Sequence, residues 1–366
     1  MRMKGISLGS LCLALALLPG CSNYRSGGTS SGGAGSHLAF AAVPTDNGVA
    51  AYRIANNTGN LTQVFGSPFA GGLSPGSVVV LPSNKFIYAA NENGNDISLF
   101  TIDSSTGALT EVSPRTPAGV TPGPLLLDSG ANFLYALNRS SGTISVYSVN
   151  GSSGALSEIS GSPFPANQSP VALALSPSGN FLFVVNANLA GVSVFTVNSG
   201  VLTLVQGSPF AVGKVPLGLT VAPSGNYVYV VNSNDNTLSI MSVDPNTGVL
   251  TEILGSPVAT GTTPEAVIFD PSGNFLYTLN EGSSNMSGFS VDTGSGLPTL
   301  LTTTSTFATG TNPVFVTLDS SGKFFLVSNQ GAKTITEMGI NSTSGALTSS
   351  NSVGIDQPAT SIAVTK

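Results

Sequence analysis

The sequence predicts an all-β protein, a seven-bladed β-propeller closed by pairing its N- and C-terminal strands in one blade. Three observations carry that prediction: a composition rich in turn formers and poor in charge, one motif that recurs seven times, and two chain ends that complete each other. Of 366 residues, 44 are Gly and 23 are Pro, while 8% are charged and 41% are apolar. Such a chain turns often and leaves little room for helices, and it is neither a charged disordered tail nor a coiled coil. Eleven Lys and Arg against 17 Asp and Glu give a net charge of −6, which repels phosphate backbones and excludes a nucleic-acid surface.

The repeated motif is an aromatic or aliphatic strand ending in Asn. It reads Phe181-Leu182-Phe183-Val184-Val185-Asn186, Tyr227-Val228-Tyr229-Val230-Val231-Asn232 and Phe275-Leu276-Tyr277-Thr278-Leu279-Asn280. Phe86 to Asn91, Phe133 to Asn138 and Phe324 to Asn329 are further copies, and Leu38 to Val43 is a seventh in which Val replaces Asn. The closing positions 43, 91, 138, 186, 232, 280 and 329 lie 46 to 49 residues apart. Equal units at that pitch are blades rather than the strands of a sandwich.

Within a unit, four strands follow in order. An apolar run after a Pro comes first (Pro170 to Leu175), then a Ser-Pro-Ser-Gly-Asn turn and the motif strand. A period-2 run such as Thr143 to Tyr147 follows a polar loop, and a Gly-bearing turn leads to a short last strand such as Gly107 to Thr110. Inner strands are apolar on both faces, as sheets sandwiched between neighbours require. At the ends, Pro358 to Val364 reads as a first strand, whereas the chain from Leu38 opens on a second strand. One blade is therefore built from both termini, which removes free sheet edges.

Residues 1–20 read as a lipoprotein signal peptide, with Arg2 and Lys4 before an apolar run from Ile6 to Leu18 that is too short to span a bilayer. Leu18-Pro19-Gly20-Cys21 resembles the lipobox of bacterial lipoproteins, which implies lipidation of Cys21 and attachment to a membrane. Residues 21–36, mostly Ser and Gly, read as a tether, and residues 37–366 as the propeller. Cys12 and Cys21 are the two cysteines, so the folded part has no thiol for disulfide, zinc or nucleophilic chemistry. The expected location is the bacterial cell envelope. Ser22, rather than Asp, after the lipid site favours the outer membrane or periplasm.

The repeated aromatic-Leu-Tyr-Val-x-Asn strand, the Ser-Pro-Ser-Gly turn and the Thr-Gly-Ala-Leu-Thr hairpin resemble the lactonase family of seven-bladed propellers. That family includes bacterial 6-phosphogluconolactonase and fungal muconate cycloisomerase relatives, and the same segments are similar to tandem β-repeats of surface-layer proteins. The resemblance covers residues 37–366 and is carried by scaffold residues.

Loops from second to third strands, and from one blade to the next, open on the face that binds ligands in propellers. Glu92, Asp96, Arg139, Asp235, Glu281 and Lys333 fall in the first class, and Arg115, Lys214 and Glu265 in the second. Lactone-hydrolysing relatives carry Pro-Arg-His at the start of an inner strand and Asn-Glu at the end of the next. The matching positions are Pro264-Glu265-Ala266 and Asn280-Glu281, so the resemblance implies a catalytic role for Glu281 and lacks the Arg and His. Glu265 and Glu281 are expected to approach each other, which raises one carboxyl pKa and makes an acid or base. Arg115 and Arg139 are expected together in another blade, able to hold a carboxylate or phosphate. The single histidine, His37, falls on the opposite face.

No cofactor or metal is expected. Phosphate-loop spacing is absent, and Asn232 to Asn236 and Asn91 to Asp96 lack calcium-loop spacing. Trp is absent, against Trp-docked quinone or sugar sites. Two functions follow: a binding or surface module with degenerate catalytic residues, whose loop face takes a small molecule, glycan or protein, or a lactone hydrolase or isomerase working through Glu281.

Overall fold

The computed structural model describes residues 37–55 and 58–366. The expected leader, Cys21 and the tether lie outside the described residues.

Seven antiparallel sheets are arranged as blades. Blade 1 pairs Ser361–Val364 with His37–Val43, then Gly48–Ile54 and Leu61–Gln63. Blade 2 holds Pro75–Val80, Phe86–Asn91, Asp96–Ile102 and Leu109–Pro117. Blade 3 holds Pro122–Leu127, Phe133–Asn138, Thr143–Val149 and Leu156–Glu158, and blade 4 holds Pro170–Leu175, Phe181–Asn186, Gly191–Asn198 and Val201–Leu204. Blade 5 holds Pro216–Val221, Tyr227–Asn232, Thr237–Val243 and Leu250–Glu252, and blade 6 holds Pro264–Phe269, Phe275–Asn280, Asn285–Val291 and Pro298–Leu300. Blade 7 holds Pro313–Leu318, Phe324–Asn329, Thr334–Ile340 and Leu347–Gly354. First strands contact their neighbours around the whole ring, so each blade has one on either side.

The closure foreseen from the chain ends is present, with Ala39 opposite Val364 and Ala41 opposite Ile362. Thr365 seals it further, its hydroxyl accepting from the Leu38 N–H at 2.8 Å. A fifth segment of two or three residues, such as Phe69–Ala70 or Phe210–Ala211, pairs with the third strand in five blades. Sequence reading did not anticipate it. The Ser of each Gly-Ser-Pro turn before four of these segments caps that third strand: Ser67, Ser162, Ser208 and Ser256 accept from the N–H of Ala51, Val146, Val194 and Ile240.

The motif Asn has a structural role. Asn91, Asn138, Asn186, Asn232, Asn280 and Asn329 are fully buried. Each amide bonds a Ser or Thr hydroxyl on the next strand, as Asn138 Nδ2 does to Ser145 Oγ at 3.0 Å and Asn329 Nδ2 to Thr336 Oγ1 at 2.9 Å. Blade 1 replaces both partners together, with Val43 and Ala50, so neither an amide nor a hydroxyl is stranded at that pair. The motif tyrosines join blades. Tyr88, Tyr229 and Tyr277 donate to the turn carbonyls of Gly154, Gly296 and Gly345 on the next blade at 2.8, 2.6 and 2.7 Å.

Candidate functional site

The seven first strands enclose a central channel of about 690 Å³. In six blades the register slips at the residue after the opening Pro, leaving Gly76, Gly123, Val171, Leu217, Glu265 and Val314 as bulges near one end of that channel. A bulge aims an extra side chain out of the ladder. Five of these positions are Gly or aliphatic, and Glu265 is the ionisable one. Sequence reading counted Glu265 with the loops that enter a blade and, by the matching motif, at the start of an inner strand; it belongs to the strand Pro264–Phe269 and lines the channel.

Glu265 shares that lining with Val171, Leu217, Val314 and Phe315, and with Arg139. Burial pushes its carboxyl up to about 7, and the charge of Glu281 adds to the rise. The expected approach of the two carboxylates is therefore present. Pro264 pairs with Asn280, so Glu265, entering its strand, and Glu281, leaving its own, flank one antiparallel pair at the same end of the blade. The Glu281 main-chain N–H is held by the Thr263 carbonyl at 2.9 Å.

The basic residues are arranged differently from expectation. Arg115 and Arg139 do not share a blade. Arg115 sits within the outer strand of blade 2, a nine-residue strand where blades 3 and 5 have three, and pairs with Glu111 at 2.7 Å. Its guanidinium also donates to the Gly71 carbonyl at 3.1 Å. Arg139 follows the second strand of blade 3 and reaches Glu92 of blade 2 at 2.8 Å. Gly76 and Gly123 make that bridge possible, since a Cβ at Gly76 would strike the Glu92 carboxylate and one at Gly123 would lie 2.7 Å from Arg139 Nε. The Pro-Gly pair that opens only blades 2 and 3 was the sequence signal for it.

The remaining candidates serve the loops. Asp235 Oδ2 accepts from the Lys214 N–H at 2.8 Å, and Lys333 Nζ donates to the Asp356 carbonyl at 3.4 Å. Asp96 Oδ1 accepts from Asn91 Nδ2 at 2.6 Å. His37 opens the motif strand of blade 1 and lines a different cavity with Asp319 and Ser321. Among the described residues, no group of three His, Cys, Asp or Glu side chains could hold a metal.

The mouth thus holds a carboxyl that titrates near neutrality beside a second carboxylate, while the two arginines are each neutralised by a glutamate. Glu265 can take or give a proton at neutral pH. The cation that would polarise a carbonyl is not beside it in the pattern that lactone-hydrolysing relatives show.

Comparison with known proteins agrees with this architecture. A putative 6-phosphogluconolactonase from Bacteroides uniformis is 19% identical, covers 90% of this chain and 99% of its own, and superposes with a TM-score of 0.77. One from Bacteroides fragilis is 21% identical over 93% and 100%, with a TM-score of 0.76. A periplasmic gluconolactonase from Pseudomonas aeruginosa is 19% identical over 91% and 99%, with a TM-score of 0.75. These likenesses show the fold. No curated protein matches the sequence. The family described as "Lactonase, 7-bladed beta-propeller" matches over residues 36–168, 159–264 and 255–362, nearly the whole propeller, and the chain belongs to that family.

Proposed function

We propose that this propeller is a binding module whose channel mouth takes a small, neutral or cationic, hydroxyl-bearing ligand without hydrolysing it. The observation that carries this reading is the Glu265–Glu281 pair, set on a rim whose arginines, Arg139 in the same channel lining among them, are each salt-bridged to a glutamate. A phosphorylated sugar lactone, the substrate that the names of two similar structures suggest, would bring its charge to the Glu265–Glu281 pair, with Arg139 already paired to Glu92. The sequence of residues 1–36 supports an exported, lipid-anchored form in the cell envelope, which Cys21→Ser followed by membrane fractionation tests.

The deciding experiment is calorimetric titration of residues 37–366 with three forms of one sugar, neutral, amine-bearing and phosphorylated, alongside a lactone-hydrolysis assay. Binding in the order amine, neutral, phosphorylated, with no turnover, is expected. Turnover of gluconolactone or its 6-phosphate that Glu281→Gln abolishes would replace this reading with the hydrolase reading. That second reading has one observation in its favour, the Glu265 carboxyl poised near 7 as a general acid or base.

A further inference from the structure

The third strands of all seven blades carry one core position in common. It is Ala51, Leu99, Val146, Val194, Ile240 and Gly288 in blades 1 to 6, each opposite an aromatic residue of the motif strand. In blade 7 it is Glu337, opposite Leu326. Glu337 is 1% exposed, and neither of its carboxylate oxygens has a hydrogen-bond partner. An uncompensated carboxylate in that setting is costly when charged.

The neighbouring blade is shaped around it. In the other six units the turn glycine rests on an aliphatic or aromatic side chain of the preceding blade, as Gly107 does on Leu38, Gly200 on Phe133 and Gly296 on Tyr227. Gly59, the turn glycine of blade 1 with φ +70°, rests on the Glu337 carboxylate, in space that a Cβ would fill. This contact spans the seam between blade 7 and blade 1, the blade that both chain ends build.

We propose that Glu337 is a proton-operated latch on that seam: neutral, it lets blades 7 and 1 close, and ionised, it loosens the Gly59 turn and the strands beside it. The latch is independent of the channel mouth. Burial raises the Glu337 carboxyl to about 6 and the charge of Asp319 adds to the rise, while the nearby Ser350 hydroxyl, which donates to the Glu337 main-chain carbonyl at 3.3 Å, opposes it. Asp319 comes from the turn before the motif strand of blade 7, and His37 lines the cavity beside Gly59 from blade 1. The strands flanking Glu337, Phe324–Asn329 and Leu347–Gly354, carry no charged side chain, and neither do residues 58–60. Blade 1 contributes His37 beside Gly59 and Arg53 on Gly48–Ile54, and among the described residues no salt bridge to Glu337 is present.

Backbone hydrogen exchange on residues 37–366, corrected for intrinsic rates, tests the latch. Between pH 4 and pH 8 the opening constant of amides in His37–Val43 and Thr334–Ile340 is expected to rise about twentyfold, from the shift between 4.5 and about 6. Measured in a Glu265→Gln background, which removes the other raised carboxyl, amides of blades 3 and 4 are expected to hold steady. Glu337→Gln and, as a second variant should Gln fail to fold, Glu337→Leu should each abolish the pH dependence. Seam protection that does not change with pH, a rise shared equally by all blades, or a dependence that survives either substitution overturns the proposal.

Discussion

Replacing Glu265 by Gln removes a charge that the folded protein holds at a cost. The carboxyl moves from 4.5 to about 7 on folding. A carboxyl raised in this way carries no penalty below pH 4.5, where both states are protonated. The penalty grows as pH rises through the interval from 4.5 to about 7 and is complete above it. The full shift corresponds to about 3 kcal/mol at pH 8, reduced to about 2 kcal/mol by the water that enters an open mouth. Glu265→Gln is therefore expected to match the parent at pH 4 and to exceed it by about 2 kcal/mol at pH 8. For a domain of this size that is about 3 °C in Tm. Urea denaturation and calorimetry at pH 4, 6 and 8 read both quantities. A difference that is constant with pH, or a variant less stable at pH 8, would refute the argument that burial and Glu281 oppose ionisation.

Other substitutions probe separate parts of the account. Glu281→Gln should lower the Glu265 midpoint yet leave it above 4.5, because burial is the larger cause, and a carboxyl-carbon NMR titration measures this. Tyr229→Phe strands the buried Gly296 carbonyl, which now accepts at 2.6 Å, and should cost about 1–2 kcal/mol by denaturant unfolding. Ile362→Ala, in the strand that closes the ring and 3% exposed, should cost about 2–4 kcal/mol. Leu300→Ala, at 45% exposure on an outer strand, should stay within about 0.5 kcal/mol.

Much of the fold was legible because the blade repeats. The motif strands ending at Asn91, Asn138, Asn186, Asn232, Asn280 and Asn329 lie where the sequence put them. The pairing of Ile362 with Ala41 followed from a first strand without a successor and a second without a predecessor. A segment such as Phe69–Ala70 was missed because two residues cannot display a period of two. Arg115 was misplaced because blade 2 extends its outer strand to Pro117, a length that no repeat of the motif announces. Glu265 and Glu281 were expected together from the blade order and the matching family motif, and the charge of Glu281 does act on Glu265, whereas the bulge that turns Glu265 into the channel is a register event invisible in residue types. Glu337 breaks an apolar column, but that column exists only once the strands are aligned, and within Thr334–Ile340 alone a glutamate does not reveal which face it takes.

The account turns on an acidic rim whose inner carboxyl is held back from ionising. The chain has seven glutamates, few enough for the carboxyl carbons to be followed individually after selective labelling and assigned with Glu265→Gln. Titrated from pH 3 to 9, the Glu265 resonance should have its midpoint at about 7 and move to lower pH when an amine-bearing sugar is added. A midpoint near 4.5, unmoved by that sugar, would contradict both the geometry of the mouth and the ligand class assigned to it.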